Sequence, residues 1–236
     1  MLKIENFEVM GWEHAIRGMR NPMNSWDKSD SYFTQVVDCE TDLKANAEHF
    51  VGDNDHQLMM SLAKGGPVHA KYRRMITVYL DITSPFYWWK EFDTYKVGTV
   101  ANSCSTMHKI HAKEFTLEDF SCEHLIDDIH ECWADNIEAG PECRSTPLNI
   151  LEDVVFALNQ YRDKFLETKD KKYWWQMIQL LPTSYNQKRT VMLNYEVLHN
   201  IYHSRKNHKL DEWHVFCDWI ESLPYSELIT GQEETA

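Results

Sequence analysis

The residues of this chain that could do chemistry are carboxamides, guanidiniums and a scatter of thiols and imidazoles. Asn194, Asn200 and Arg205 lie in one stretch of helical pattern. If Asn194 opens the helix, Asn200 lies about 600° around it and Arg205 about 1100°, which at about 3.6 residues per turn reduce to about 240° and 20°. Asn194 and Arg205 therefore share a face, and Asn200 points elsewhere. Without further context, one Asn is an N-cap and the other a solvent-facing residue. A small anion needs only local cations, and Arg17, Arg20, Arg73, Arg74, Arg189 and Arg205 are the candidates. Single arginines are most often solvated. The segment 96–106, KVGTVANSCST, is made of residues small enough to let backbone amides approach an anion. Cys104 within it would be a nucleophile only with a stabilised thiolate, and an idle thiol is the simpler reading. Cys122, His124, His130, Cys132 and Cys143 have ligand types that suit zinc, but their spacing fits no standard framework.

These groups need elements to hold them. Residues 4–20 read as an apolar strand and a short helix ended by Gly18, Asn21 and Pro22. The polar segment Arg17 to Ser31 reads as an ordered loop, in which Arg17 and Arg20 would present two forks together. Thr41 to Ala63 reads as two helices interrupted near 52–55, and Gly65, Gly66 and Pro67 break the chain. Arg74 to Thr83 is rich in β-branched residues and reads as a strand. Ser84 then caps an aromatic helix with Pro85 in its first turn, and 96–105 reads as a loop. Of the adjacent pairs Trp88–Trp89 and Trp174–Trp175, at most one member each can point straight into the same core. The other could line a flat ligand, although packing is the commoner use. From Pro147 the pattern is helical: a long stripe to Phe165, a second helix over Tyr173 to Leu181, and two more after Asn194 and Leu210. The tail from Gly231 reads as frayed.

The chain has 236 residues, within the range of one domain. Its 43% hydrophobic and 13% aromatic content suits a folded globular protein. No stretch approaches the roughly 18 apolar residues of a membrane span. A net charge of −13 argues against wrapping duplex nucleic acid, which needs a surplus of cations on one face. The opening MLKIENFEVMGWEH lacks the features of a secretory signal, so a cytoplasmic location is expected. Six spread cysteines then read as reduced thiols.

From Leu180 to Trp213 the chain has a Leu-Pro, a polar approach, a helix opening with Asn, a second Asn and an Arg, and then an acidic-aromatic segment. Pro182, Asn194, Asn200 and Arg205 stand at the spacings of the flavin-dependent thymidylate synthase family, which this region resembles. A second region repeats the frame of that family's signature motif: strand Arg74 to Thr83, Pro85, helix Phe86 to Phe92, and Ser103 eight positions after Tyr95. Asp93, Thr94 and Tyr95 occupy the place of the family's Arg-His-Arg triplet. Ser105 and Ile178 stand where the family has nucleotide-binding arginines. The resemblance spans about 66–105 and 173–223.

The resemblance implies an α+β fold, with a mixed sheet, flanking helices and a mostly helical C-terminal half, as one domain over 1–236. The implied activity is flavin-dependent transfer of a one-carbon unit from methylenetetrahydrofolate to a pyrimidine deoxynucleotide monophosphate. The product would be that of dUMP methylation or a dCMP or hydroxymethyl variant. FAD is the implied cofactor, NADPH the reductant, folate the donor and a homotetramer the assembly. Arg205 and Ser103 are then the expected catalytic residues. Asn194, Asn200, Asn102 and Arg74 are expected on the cofactor, and Arg205, Ser103, Ser105, Arg17 and Arg20 on the substrate. The pair Arg17 and Arg20 would replace the missing phosphate-binding cations. Two other classes are a catalytically silent homologue acting as a binding or scaffold protein, and a metal-dependent hydrolase built on the 122–143 cluster.

Overall fold

The computed structural model describes residues 2–34, 48–128 and 145–231. The class is α+β, and four strands form an antiparallel sheet in the order β1-β4-β6-β5. These are β1 (Lys3–Met10), β4 (Thr77–Pro85), β5 (Val100–Ser103) and β6 (Asn186–Asn194). A separate antiparallel pair joins β2 (Tyr32–Thr34) to β3 (Glu48–Phe50). The expected mixed sheet is thus antiparallel. The long helices lie at the ends of strands and do not serve as crossovers between parallel neighbours.

β4 forms because Val78, Leu80 and Ile82 alternate onto a fully buried face. It starts three residues later than expected, since Lys71–Arg74 is a 3-10 turn. Ser84 and Pro85 belong to the strand, and α3 (Phe86–Phe92) starts on Pro85 without a side-chain cap. β6 was not foreseen. Its Gln187, Val191 and Leu193 are buried in alternation, but interleaved Lys188, Arg189 and Thr190 mask the apolar signal. β5 likewise lies inside the expected loop, and all its side chains are exposed.

Two compact units emerge from the contacts, each with its own core. One comprises residues 1–3, 82–94 and 102–189. Its core holds Ile110, Phe115, Phe120, Leu151, Leu158 and Met177. Leu151, Leu158 and Met177 come from α5 (Pro147–Thr168) and α6 (Lys171–Leu180), which pack against each other. Thr146 and Asn149 form a capping box at the start of α5, with Pro147 at its first position. Asp170 caps α6. Trp88 and Trp89 are 0% and 1% exposed, so both members of that pair are core. α3 is covered on more than one side, which relaxes the expectation that only one Trp can point inward.

The other unit comprises residues 4–81, 95–101 and 190–236. It contains α1 (Trp12–Arg20), α2 (Asp53–Lys64), α7 (Tyr195–Arg205), α8 (Asp211–Glu221) and the short α9 (Glu227–Thr230); α4 (Thr106–Lys109) belongs to the first unit. Its core includes Trp12, Tyr72, Ile76, Tyr195, Trp213 and Phe216. Trp12 and Tyr195 meet edge to face at 5.4 Å. Of the two helices expected over 41–63, only α2 lies in the described residues. Phe50 ends β3, and Thr41 to Ala47 lie outside the described residues. Among the described residues no helix is long and apolar enough to cross a membrane.

Candidate functional site

α7 opens on Asn194, whose side-chain oxygen accepts the Val197 N–H at 3.1 Å. This cap satisfies one of the amides that a helix start leaves without a partner. The same carboxamide faces Gly98. A Cβ on Gly98 would lie 3.0 Å from Asn194 Nδ2 and 3.2 Å from Val197 Cγ2, and its φ is +83°. Only glycine brings the backbone this close in this conformation. On the same face of α7, Arg205 donates from Nε to the Tyr95 hydroxyl at 2.9 Å. Its guanidinium lies 4.9 Å from the Trp213 ring and 5.6 Å from the Tyr95 ring. The two rings and the hydroxyl fix its orientation. Asn200 is exposed on another face, with no side-chain hydrogen bond among the described residues. The helical arithmetic therefore holds: Asn194 and Arg205 both meet the 95–98 segment, and Asn200 does not.

The pair Arg17 and Arg20 requires correction. Both lie on α1, in its last turn, not on a loop. Arg17 is exposed, whereas Arg20 is buried. Arg20 Nε donates to Asp55 at 2.6 Å, and its other nitrogens donate to the carbonyls of Ser25 and Lys28 at 3.2 and 3.1 Å. Its donors are thus spent on ordering the 21–31 segment, which is why it cannot replace a phosphate cation. Asp55 is fully buried and also accepts from the Ser29 and Ser31 hydroxyls at 2.6 and 2.7 Å. Burial alone would raise its pKa, but these hydrogen bonds and Arg20 hold it below the usual carboxylate value. Arg74 is exposed and carries no ion pair among the described residues. Its neighbour Arg73 points inward, 3.9 Å from the Glu196 carboxylate. Among the described residues, Arg73 Nε and Glu196 Oε2 have no hydrogen-bond partner.

In the other unit, Asn102 and Ser103 end β5 with exposed side chains. The bend after them is pinned on β6: the Cys104 N–H donates to Lys188 O, and Gln187 Nε2 donates to Cys104 O, both at 2.9 Å. Ser105 caps α4 by accepting the His108 N–H at 3.1 Å. Asp93, in the place of the triplet's first Arg, binds Arg189 Nη1 at 2.8 Å. Arg189 also stacks on Trp89 at 4.2 Å and donates from Nε to Gln187 at 3.0 Å. Ile178 packs against the core, so no cation is accommodated at that position. Sequence reasoning missed Tyr95, Trp213 and Gln187 as partners of site residues. The only local signal was the buried alternation of β6.

Of the proposed zinc ligands, Cys122 and His124 are described, while His130, Cys132 and Cys143 lie outside the described residues. Among the described residues no group of three or more His, Cys, Asp or Glu could hold a metal. Cys217 is buried, and burial with Asp218 and Glu221 nearby pushes its thiol up to about 12, so it is no nucleophile near neutral pH.

No family model and no curated protein matches the sequence. Solved structures do. Thymidylate synthase X (ThyX) from Helicobacter pylori, crystallised with FAD and dUMP, is 14% identical over 98% of both chains, with a TM-score of 0.64. A second structure of that flavin-dependent enzyme with FAD and dUMP is 15% identical over 98% of both chains and reaches 0.63. The UMP/dUMP methylase PolB from Streptomyces cacaoi, bound with 5-Br UMP, is 10% identical over 94% of this chain and 88% of its own, at 0.55. At these identities the likeness is one of architecture, and it extends along nearly the whole chain: this protein has the flavin-dependent thymidylate synthase fold.

Proposed function

We propose that this chain is a flavin-dependent enzyme that transfers a one-carbon unit to the ring of a pyrimidine nucleotide monophosphate. The observation that carries this reading is Arg205, oriented by Tyr95 and Trp213, on the same helix face as Asn194. That face stands on a fold whose solved examples include ThyX with FAD and dUMP and a UMP/dUMP methylase.

The residues present fit FAD by their donor chemistry. Carboxamides offer a donor and an acceptor side by side, matching the alternating edge of an isoalloxazine ring. Asn194, Asn200 and Asn102 are the carboxamides we assign to the cofactor. Exposed Arg74 is available for a phosphate. When bound, the reduced flavin supplies hydride, with NADPH as reductant and methylenetetrahydrofolate as donor. The work of the chain is orientation. The Arg205 fork binds an oxygen or the anionic end of the nucleotide, and Ser103 offers a hydroxyl on an exposed strand. Ser105 and Arg17 are further substrate candidates. We place the chain in one functional domain that works as a homotetramer in the cytoplasm.

The test is a visible spectrum of the purified chain with added FAD, combined with release of tritium from the ring carbon of labelled dUMP, UMP and dCMP. Flavin binding with tritium release from one of them is expected. A colourless protein releasing none would refute the proposal. A silent scaffold is the second reading, and the Asp93–Arg189 pair favours it, because an acid neutralised by its own arginine stands where the family has a free cation. Flavin binding without tritium release from any nucleotide would select it.

A further inference from the structure

α7 carries more than the face of Asn194 and Arg205. His199 and His203 stand four residues apart on it, the only pair so spaced among the chain's 12 histidines. Counted from Asn194 at about 100° per residue, they lie about 140° and about 180° around the helix, whereas Arg205 lies at about 20°. The two imidazoles are therefore on the side of α7 turned away from the candidate site. Their ring centroids are 4.4 Å apart.

One of these rings is already set as a metal ligand is set. His199 Nδ1 donates to the Ile229 carbonyl, in α9, at 2.7 Å. A carbonyl oxygen only accepts, so in the neutral ring Nδ1 carries the proton and Nε2 keeps its lone pair. Nε2 has no hydrogen-bond partner among the described residues. A backbone carbonyl on the far ring nitrogen is the usual support of a metal-binding histidine, because it fixes both the tautomer and the ring orientation. His199 is half-buried and His203 is exposed, so an ion reaches both from solvent and the His203 ring is free to turn toward it.

The neighbouring groups decide which ion suits the pair. Glu196, one turn earlier on α7, lies 3.9 Å from Arg73 and offsets its charge. Among the described residues no set of three or more His, Cys, Asp or Glu could hold a metal. The pair thus offers two imidazole nitrogens and no carboxylate oxygen. That donor set suits Ni²⁺, Cu²⁺ and Zn²⁺, and it does not suit Mg²⁺ or Ca²⁺. Two histidines four apart on one helix face are also the spacing by which an H-E-x-x-H helix grips zinc.

We propose that His199 and His203 form a two-histidine site for a divalent late transition-metal ion, with the Ile229 carbonyl as its outer support. The site does not depend on the function proposed above, since neither histidine shares the face of Asn194 and Arg205. Both ligands converge only when 199–203 is helical, so the ion binds the folded chain in preference to the unfolded one and stabilises it.

The test strips the full chain with a chelator and titrates it calorimetrically with Ni²⁺ and with Mg²⁺, as wild type and as His199→Ala, His203→Ala and His14→Ala. His14 is an exposed histidine on α1 and serves as the control. Wild type and His14→Ala should bind Ni²⁺ alike and leave Mg²⁺ unbound. Each of the other two variants should lose about tenfold or more in Ni²⁺ affinity. Ni²⁺ should also raise the Tm of wild type and leave that of His203→Ala unmoved. If His199→Ala does not fold, His203→Ala decides alone, because its side chain is exposed. An unchanged Ni²⁺ titration in His203→Ala would place the metal elsewhere and overturn the proposal. Wild type that takes up no Ni²⁺, or that binds Mg²⁺ as well as Ni²⁺, would overturn it too.

Discussion

Replacing Asp55 by Asn should be among the most damaging single substitutions in this chain, although the two side chains have nearly the same shape. The Asp55 carboxylate is fully buried and accepts from Arg20 Nε, from the Ser29 and Ser31 hydroxyls, and from the backbone amides of Asp30 and Ser31 at 3.3 and 3.2 Å. The amide has one acceptor oxygen in place of two and turns an NH₂ toward groups that are themselves donors. It also leaves Arg20, 4% exposed, as a buried cation without a counter-charge. Removing one partner of a buried ion pair costs about 3–5 kcal/mol. At about 2–4 °C per kcal/mol for a chain of this size, Tm should fall by about 10 °C. Calorimetric or circular-dichroism melting at neutral pH measures it. In the double variant with Arg20→Gln, which removes the stranded charge, the two losses should be far from additive. The pH dependence follows from linkage. The folded pKa of Asp55 is depressed, so its stabilisation is complete above the unfolded value and is lost as pH falls through the folded one. The Asn variant should therefore lose less stability than wild type on acidification. A Tm change under about 2 °C, or additive losses in the double variant, would refute this account.

Tyr95→Phe keeps the ring beside Arg205 but removes the hydroxyl that orients it. Because Arg205 is only partly buried, water replaces part of the bond, and a loss of about 1 kcal/mol should weaken dUMP binding about fivefold with little change in Tm; equal affinity would show that Arg205 needs no such orientation. Gly98→Ala forces a side chain into φ +83° with its Cβ 3.0 Å from Asn194 Nδ2. It should destabilise the protein by about 1–2 kcal/mol and loosen the start of α7, read as faster amide exchange at Val197; unchanged exchange there would sink the close-approach argument.

The parts of the fold that sequence disclosed were those with a strong local period. β4 alternates cleanly, α5 carries a cap, a first-turn proline and a long apolar stripe, and α7 begins at an Asn that caps it. β6 and β5 escaped because what holds them is cross-strand pairing. Lys188, Arg189 and Thr190 read as a polar connection until Gln187, Val191 and Leu193 are seen buried between them. The 21–31 segment escaped for a related reason. Arg20 looks like a loop arginine until Asp55, on a different helix, is found to bind it.

The site was legible to the same extent and no further. Asn194 and Arg205 could be placed on one face by angle alone, because both lie on one helix. Their partners could not, since Tyr95 is 110 positions from Arg205 and Asp93 is 96 from Arg189. No local pattern encodes such pairs, yet they decide which cations are usable. Arg189 is stacked on Trp89 and bound to Asp93, so it orders the Cys104 bend and brings no net charge to it. Arg20 is neutralised by Asp55 in the same way. Two of the arginines that composition offers for an anion are thus internal struts.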